Sequence, residues 1–470
     1  MMKTKMNRLF GMAVLSGMAG CMALLPSVAE ANGGGYESGA AYGNILPFEM
    51  EEIGQVAMLE EDLQIDLWTS YADVKVAYKM KNTQNRPVKV RFGFPIEYTR
   101  HAEEESVRNY RVSARGSEVA ARRVRQDVKP VKQEEQPFKP VSVQSTFAHP
   151  DDEPEGIESW MVSELEFAPG EELDLTISCR VPHLEIHNSV SDNVDSYKTI
   201  VYRLSSAAVW NGPIRKGKIT IMPRSVEADE VLVKAPANRF KREGDAWVWS
   251  FENLEPTLAD DLSIAVEPDM QQRGSTVVES PDSPQYSSLA NRVQKRGSIW
   301  MRGLPAEGMK VTASSEQPAL PPSAEGLPRE FKAAGVLWDG TGERRIWGEG
   351  AAGDGTGESI TFTLPAPVKL AGFHLVPGCR DLDDKPGLKE YGSVAEMEVI
   401  VNETWKKTVV FQPDNLSGRW VSLVQCPEEA KTVRMVIRKV YPGTKHDVTC
   451  ISDVSFYTLL NKEPKIDPCR

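Results

Sequence analysis

The stretch Tyr441-Pro-Gly-Thr-Lys-His-Asp-Val-Thr-Cys-Ile-Ser-Asp-Val-Ser-Phe456 joins a polar turn to a short alternating segment. Its first half is rich in turn-forming and charged residues, which indicates a turn or loop. In its second half Ile451, Val454 and Phe456 are apolar among polar neighbours, a pattern typical of a strand with one face on a core. The stretch therefore predicts a turn followed by a β-strand near the end of the chain.

Short glycine-rich motifs precede this strand in a fixed order. They are Trp338-Asp339-Gly340-Thr341, then Trp347-Gly348-Glu349-Gly350, then Gly355-Thr356-Gly357-Glu358-Ser359-Ile360. Together with the strand above, the motifs resemble the NADase-type glycan-binding domain, which is known as the translocation domain of a streptococcal NAD glycohydrolase. Asp453 stands where that family has Glu. The resemblance spans about residues 309–460 and implies a discoidin-like β-sandwich that binds a ligand.

Length and charge limit the class of protein. A chain of 470 residues is long enough for two or three domains, each with its own core. Hydrophobic content of 40% and charged content of 26% are typical of a soluble globular protein. The net charge of −12 disfavours general nucleic-acid binding, because that function needs a positive surface. We therefore expect no nucleic-acid partner.

The first residues have the layout of an export signal. Three cationic side chains precede the apolar run 9–25, and Ala29-Glu30-Ala31 is a small-x-small cleavage site. We expect a signal peptide over residues 1–31 and a flexible, glycine-rich leader over residues 32–44. The mature chain is then expected in the periplasm or outside the cell.

An alternative to complete release is a lipid anchor. Met18-Ala19-Gly20-Cys21 resembles a lipobox, in which Cys21 would become the lipidated first residue. No apolar run after the signal is long enough to cross a membrane, so we expect no transmembrane segment in the mature chain.

Five cysteines follow the predicted cleavage site. An exported protein works where disulfides persist. We therefore expect at least one disulfide among the four cysteines of the C-terminal region, with the pairing left open: Cys379, Cys426, Cys450 and Cys469. Cys179 is expected to be a buried thiol on a strand.

Strand patterns dominate the first half of the chain from about residue 46. Apolar residues alternate with polar ones, and turn clusters follow at short intervals, which favours a sandwich over a parallel sheet. Examples of the alternating residues are Leu63, Ile65 and Leu67, then Val74, Val76, Tyr78 and Met80, then Val88, Val90, Phe92 and Phe94. A hairpin is expected to turn at Arg115-Gly116.

The predicted fold is all-β, with two β-sandwich domains. We expect the first domain over residues 45–268, a linker over residues 269–308 and the second domain over residues 309–460. Residues 461–470 are expected to be a tail. The second domain is predicted to be a discoidin-like, galactose-binding-like jelly roll, as the resemblance implies.

The first domain resembles a bacterial exported domain of unknown function that precedes the glycan-binding module in many proteins. The pieces that carry this resemblance are spread over its length: Ser70-Tyr71-Ala72-Asp73-Val74, Phe92-Gly93-Phe94-Pro95, Tyr202-Arg203-Leu204, Trp210-Asn-Gly-Pro-Ile214, Trp247-Val-Trp249-Ser-Phe251 and Asn253-Leu-Glu-Pro256. That family has no established chemistry, so the resemblance implies none here.

The best metal candidate is His183-Leu-Glu-Ile-His187 in the first domain. On a strand, His183, Glu185 and His187 share one face, and two imidazoles at that spacing can hold Zn²⁺. The alternative is a solvated strand face. The six histidines lie outside the sequence motifs of serine and cysteine hydrolases, and we expect no catalytic site.

Sugar recognition needs aromatic rings that stack on the pyranose and polar groups that bond its hydroxyls. In sandwich lectins both come from loops at one end of the sheets. The candidates are Trp347, Glu349, Arg380, Asp381, Asp383, Tyr391, His446 and Asp447. For Trp347 the alternative is a place in the core. Asp381, Asp383 and Asp384 are also candidates to hold Ca²⁺; we expect no other cofactor.

These observations predict an exported, non-catalytic binding protein. Its second domain is expected to recognise a glycan or another cell-envelope component, while the first domain supports that contact or docks a protein partner. Two alternatives remain open. One is a metal-dependent hydrolase with its site at His183 and His187, and the other is a purely structural envelope protein.

Overall fold

The structure, a computed structural model, is built almost entirely of β-strands, which confirms the predicted all-β class. It describes residues 54–97, 107–125, 157–190, 193–236, 238–266, 271–273, 293–296, 299–318, 330–337, 345–379, 390–413 and 418–462. The predicted signal peptide, Cys21 and the leader lie outside these residues. In the described part of the chain, no helix is both long and apolar enough to span a membrane.

The described residues of the first domain form fifteen strands between residues 56 and 266. They are β1 Val56–Leu67, β2 Tyr71–Asn82, β3 Val88–Glu97, β4 Arg108–Ala114, β5 Ser117–Val119, β6 Ala121–Arg125, β7 Ile157–Phe167, β8 Glu172–Pro182, β9 Leu184–Val190, β10 Asn193–Tyr202, β11 Ile214–Pro223, β12 Val231–Ala235, β13 Lys241–Glu243, β14 Ala246–Leu254 and β15 Leu262–Val266. Short 3-10 helices cover Leu204–Val209, Ala228–Glu230 and Leu258–Asp260.

These strands form two layers around one core. One layer is an eight-stranded sheet in the order β13-β14-β11-β1-β2-β8-β4-β5, and the facing layer contains the three-stranded sheet β3-β7-β6 and the strands β9, β10, β12 and β15. The alternating residues of β1, β2 and β3 are buried between the layers, as predicted. The β4–β5 hairpin turns at Arg115 and Gly116, whose φ angles of 53° and 74° are left-handed. The predicted hairpin is therefore confirmed.

The segment expected to be a linker contains three short strands. They are β16 Gln271–Arg273, β17 Val293–Arg296 and β18 Ile299–Gly303. Strand β16 pairs with β10 of the first domain, β17 pairs with β16, and β18 pairs with both β17 and β28 of the second domain. A run of backbone hydrogen bonds therefore connects the two domains across residues 269–308.

Ten further strands are formed by the part of the second domain that the structure describes. They are β19 Lys310–Ala313, β20 Glu330–Phe331, β21 Arg345–Gly348, β22 Ser359–Val368, β23 Leu370–Pro377, β24 Gly392–Val401, β25 Trp405–Val410, β26 Arg419–Ser422, β27 Ala430–Tyr441 and β28 Thr449–Leu460, with a 3-10 helix over Ala333–Val336. The strand expected from the opening stretch is β28, in which Ile451, Val454 and Phe456 are buried. That prediction is confirmed.

The strands of the second domain pair into two mainly antiparallel groups, with short parallel pairings of β20 with β21 and of β24 with β28. One group has the order β19-β22-β27-β24-β25. In the other group β28 pairs with β23 on one side and with the short strands β18 and β21 on the other, and β23 also pairs with β26. Apolar side chains of both groups, among them Phe362, Met435, Phe373 and Phe456, fill the core between them. The arrangement is the predicted β-sandwich.

Charged and polar side chains join the two domains directly. Glu227 of the first domain accepts hydrogen bonds from Lys407 Nζ at 2.8 Å and from the Ser422 N–H at 3.3 Å. Ser70 and Gln412 exchange two hydrogen bonds of 2.9 and 2.7 Å. The two domains therefore share a specific interface in addition to the paired strands.

The predicted disulfide is not seen. No disulfide bond joins the cysteines that the structure describes, and Cys469 lies outside the described residues. Cys179 is buried in the core of the first domain, as expected, and burial raises its thiol pKa to about 12.

Candidate functional site

Three loops of the second domain meet at the start of β28. They connect β21 to β22, β23 to β24 and β27 to β28. The first residues of β28 and the residue before it tie all three together through backbone hydrogen bonds: Glu349 N–H to Thr449 O at 3.1 Å, Gly378 N–H to Cys450 O at 2.8 Å and Gly392 N–H to Val448 O at 2.9 Å. The fold therefore brings most of the predicted ligand-binding residues to one end of the sandwich.

Glu349 is the buried centre of this end. Its carboxylate accepts hydrogen bonds from the Thr449 N–H at 3.2 Å and the Ala351 N–H at 2.9 Å. Burial raises the pKa of this carboxyl, and the two N–H donors partly oppose that shift. A Cβ added at Gly355 would lie 2.6 Å from Glu349 Cγ, so only glycine fits there. Glu349 thus holds the glycine-rich loop against β28 and does not face solvent.

Trp347 lies in the core of the sandwich. Its side chain is fully buried, and its indole Nε1 donates a hydrogen bond to Ser315 O at 3.0 Å. The ring packs among the apolar residues of both strand groups. In this position it stabilises the domain and offers no face to a sugar.

Tyr391 and His446 form a stacked pair at the loop end. Their ring centroids are 4.4 Å apart, and the ring planes differ by 23°. Tyr391 is only 2% exposed and packs on its other side near Phe331. His446 is half-buried and covers the tyrosine ring from the outside, and Asp447 beside it is exposed. Among the candidates that the structure describes, His446 and Asp447 therefore reach the surface.

Glu390 fixes the turn that carries this pair. Its carbonyl oxygen accepts hydrogen bonds from the Lys445 N–H at 3.1 Å and the His446 N–H at 2.9 Å. Its carboxylate also forms an ion pair with the Lys445 ammonium. The position of His446 is therefore set by Glu390, which lies just before β24.

The remaining candidates of this end lie outside the described residues. They are Arg380, Asp381 and Asp383, together with Asp384 of the predicted Ca²⁺ site. The residues that flank them, Cys379 and Glu390, both lie at the end described above. Within the part of the chain that the structure describes, no group of three His, Cys, Asp or Glu side chains is arranged to hold a metal ion.

Two contributors to this end were not predicted from the sequence. The Thr449 hydroxyl donates a hydrogen bond to Asp354 O at 2.7 Å, and Glu358 accepts hydrogen bonds from Ser314 Oγ at 2.6 Å and from Ser315 Oγ. Serine and threonine next to strands are common, and their partners are more than 40 residues away. No local pattern in the sequence indicates such contacts.

His183 of the proposed metal motif lies in a different environment, near the interface of the two domains. Its backbone N–H donates to Ser70 O at 2.9 Å, and its side chain is buried with neither ring nitrogen hydrogen-bonded. Burial, with a smaller contribution from Lys198, lowers the pKa of His183 to about 3. For residues 184–190 only the backbone is described, so Glu185 and His187 as metal ligands stay a prediction.

The surface at the loop end offers hydrogen-bonding groups on a fixed frame. His446 presents an imidazole that stacks on the Tyr391 ring, Asp447 presents a carboxylate, and Lys445 presents an ammonium group. Such groups suit the hydroxyls and ring faces of a sugar. The buried Glu349 keeps the loops in register below them.

The β-sandwich of the second domain has the discoidin-like fold. Residues 337–457 match the family model described as the NAD glycohydrolase translocation F5/8 type C domain. Residues 40–135 match the model described as a domain of unknown function, DUF4424. Both resemblances noted in the sequence are thereby confirmed. No curated protein matches the chain.

Solved structures with a similar fold include proteins of two bacteria. A putative nutrient binding protein of Legionella pneumophila matches 45% of this chain with 14% identity and a TM-score of 0.31, and this chain covers 66% of that protein, slightly under two thirds of it. CpGH89CBM32-5 of Clostridium perfringens, in complex with GalNAc-β-1,3-galactose, matches 33% of this chain, and 98% of its own length is covered, with 18% identity and a TM-score of 0.24. The family 32 CBM of NanJ from the same bacterium, in complex with galactose, has 15% identity with the same coverage and TM-score.

Proposed function

We propose that this protein is an exported, non-catalytic binding protein that recognises a glycan or another carbohydrate-bearing component of the cell envelope. The ligand binds on the loops at the start of β28, and the first domain holds the module in place or docks a protein partner. The observation that carries the proposal is the convergence of three loops that expose His446 and Asp447 on an F5/8 type C sandwich.

The geometry of the loop end favours recognition over catalysis. A catalyst needs a general base or a nucleophile within hydrogen-bond reach of its partner. Glu349, the carboxylate with a raised pKa at this end, instead has its oxygens bonded to two backbone N–H groups and points away from solvent. It supports the loops and is not placed to transfer a proton to a bound sugar.

The hydrolase alternative rests on His183 and His187. A catalytic zinc needs ligands that converge on a position open to water and substrate. His183 is instead buried beside the domain interface, and its low pKa results from desolvation. We therefore prefer the binding protein as the proposed function.

A glycan array with the full mature chain tests this proposal. We expect binding to a restricted group of glycans. Binding to these glycans should be lost when His446 and Asp447 are both changed to Ala. Binding that is unaffected by these two changes would place recognition elsewhere. Zinc-dependent release of a product from the array, abolished by His183→Ala, would instead support the hydrolase.

A further inference from the structure

Acidic side chains without a basic partner lie on the surface of the loop end. They belong to Asp354, Glu358 and Asp447, of which Asp354 and Asp447 are exposed and Glu358 is half-buried. Asp354 accepts a hydrogen bond from the Thr356 N–H at 3.0 Å, and Glu358 accepts its hydrogen bonds from serine hydroxyls. Among the residues that the structure describes, no basic side chain forms an ion pair with any of the three. Their negative charges are therefore not balanced locally.

Two basic side chains at the same end are already paired with other carboxylates. Lys332 Nζ lies 3.2 Å from the Glu316 carboxylate, and a Cβ added at Gly350 would lie 2.3 Å from Glu316 O, which places this pair beside the glycine-rich loop. The Lys445 ammonium forms its ion pair with Glu390. Neither lysine is left to balance the three carboxylates described above, so the described surface of the loop end carries a net negative charge.

The buried Glu349 shows that this negative charge acts on the loops themselves. Burial is the largest cause of its raised pKa, and the negative charges of Glu358 and Asp354 raise the pKa further. The backbone of both acidic residues is fastened to neighbouring strands. Asp354 O accepts a hydrogen bond from the Thr449 hydroxyl at 2.7 Å, and Glu358 O accepts one from the Ile437 N–H at 2.9 Å. The two charges are therefore held in place at the loop end.

We propose that the loop end selects uncharged glycans and rejects glycans that carry carboxylate, sulfate or phosphate groups. An anionic group near the loops is repelled by the unbalanced carboxylates, and this repulsion acts over several ångströms without direct contact. An anionic group also has no hydrogen to donate to the Asp447 carboxylate, whereas the hydroxyls of a sugar donate to it. This inference rests on the proposed function and adds the chemical class of its ligand.

This charge selection narrows the set of ligands in a cell envelope. Like-charge repulsion suppresses wrong partners at an interface, and it does so without adding contacts to the right one. Polymers rich in phosphate or uronic acid are therefore rejected, and a neutral glycan chain remains as the ligand. Because Asp354 and Glu358 act through their charge, neutralising either one should alter the selectivity and leave the contacts of His446 in place.

Calorimetric titration of the full mature chain with a matched pair of glycans tests the proposal. The pair is a neutral glycan identified on the array and the same glycan with one added sialic acid or sulfate group. At about pH 8 and about 20 mM salt we expect the neutral glycan to bind about tenfold or more tightly, and the difference should shrink at about 300 mM salt because salt screens the repulsion. Tighter binding of the anionic glycan would overturn the proposal, as would a preference that does not change with salt.

Charge-neutral variants separate repulsion from steric exclusion. Asp354→Asn keeps an acceptor for the Thr356 N–H, and it should bring the affinities for the two glycans closer together by about twofold to threefold at low salt. Asp62→Asn removes the same charge from an exposed position on β1 of the first domain, and this matched control should leave the ratio of affinities unchanged. Equal ratios in the wild type and Asp354→Asn would contradict the proposal. A protein that prefers anionic glycans would refute the charge selection and leave the proposed function standing, whereas a protein that binds no glycan would refute both.

Discussion

Glu227 of the first domain and Arg419 of the second form an ion pair that is almost completely enclosed. Their closest atoms, Oε1 and Nη2, are 3.5 Å apart, and the side chains are 15% and 7% exposed. Lys407 shares the same carboxylate, and the neighbouring Glu230 pairs with Arg296 at 2.6 Å. Desolvation lowers the pKa of Arg419, and both glutamates oppose that shift. The two domains are therefore held together by compensated buried charge.

Glu227→Gln should destabilise the whole protein, because it leaves Arg419 buried without its counter-charge. Removing one partner of a buried ion pair typically costs about 3–5 kcal/mol. Urea unfolding at pH 7 measures the loss, with Glu172→Gln as the matched control. Glu172 pairs with Lys81 on an exposed face, where solvent screens the ion pair and its contribution to stability is small. Equal losses in the two variants would contradict the importance of the interface.

Glu61 should make the first domain less stable in alkaline solution. Its carboxyl lies in the core, Tyr202 donates a hydrogen bond to it at 3.2 Å, and burial raises its pKa from 4.5 to about 8. Because the folded-state pKa is the higher one, the stabilising contribution is complete below pH 4.5 and is lost as the pH rises through 8. Glu61→Gln should remove this slope. The test is to measure the free energy of unfolding of the wild type and of Glu61→Gln from pH 5 to 9. Parallel curves for the two proteins would refute the expectation.

His183 should make the first domain less stable in acidic solution. Its pKa falls from 6.5 to about 3 on burial, so the neutral ring contributes stability above pH 6.5, and that contribution is lost as the pH falls through 3. His183→Leu cannot titrate and should lose less stability between pH 7 and pH 4 than the wild type. Denaturant titrations at both pH values provide the comparison. An identical loss would mean that the imidazole is not desolvated.

Alternation in the sequence predicted the strands because the signal is local. Ile451, Val454 and Phe456, and the hairpin turn at Arg115 and Gly116, could be placed because each depends on residues a few positions apart. The strands within residues 269–308 are only three to five residues long, and partners far away in the sequence hold them in place. Strands β16 and β17 are short and mostly polar, so they resemble a linker when read alone.

The sequence predicted where the candidate site lies better than it predicted which of its residues are exposed. Glu349, Tyr391 and His446 were expected on loops at one end of a sandwich. The structure stacks Tyr391 on His446 and bonds Glu349 to Thr449 at the start of β28. Whether each side chain points inward depends on contacts with distant loops, such as the bond from the Thr449 N–H to Glu349. The interface pair of Glu227 and Lys407, 180 residues apart, leaves no trace in a single sequence.

Trp347→Ala should unfold the second domain without acting on the ligand surface itself. The ring is fully buried, and truncation of a buried aromatic side chain typically costs about 3–5 kcal/mol. Trp405→Ala is the matched control, since that ring is only partly buried against the same core. Thermal unfolding of both variants measures the difference. A Trp347 variant that melts like the control would show that this ring is not a core residue.

Loop variants should separate ligand binding from folding. His446→Ala, and Arg380→Ala combined with Asp383→Ala, should each weaken binding of a glycan identified on the array by about tenfold or more, the effect of losing one strong contact of about 1.4 kcal/mol. Their melting temperatures should fall much less than that of Trp347→Ala, because His446 is only half-buried and its loss leaves the main core of the second domain intact. Lys439→Ala, on a sheet strand with its side chain 70% exposed, is the control and should bind normally. Calorimetric titration measures the affinities. If Lys439→Ala lost binding while both loop variants kept it, the ligand would lie on a sheet face, and the loop end would be only a structural cap of the sandwich.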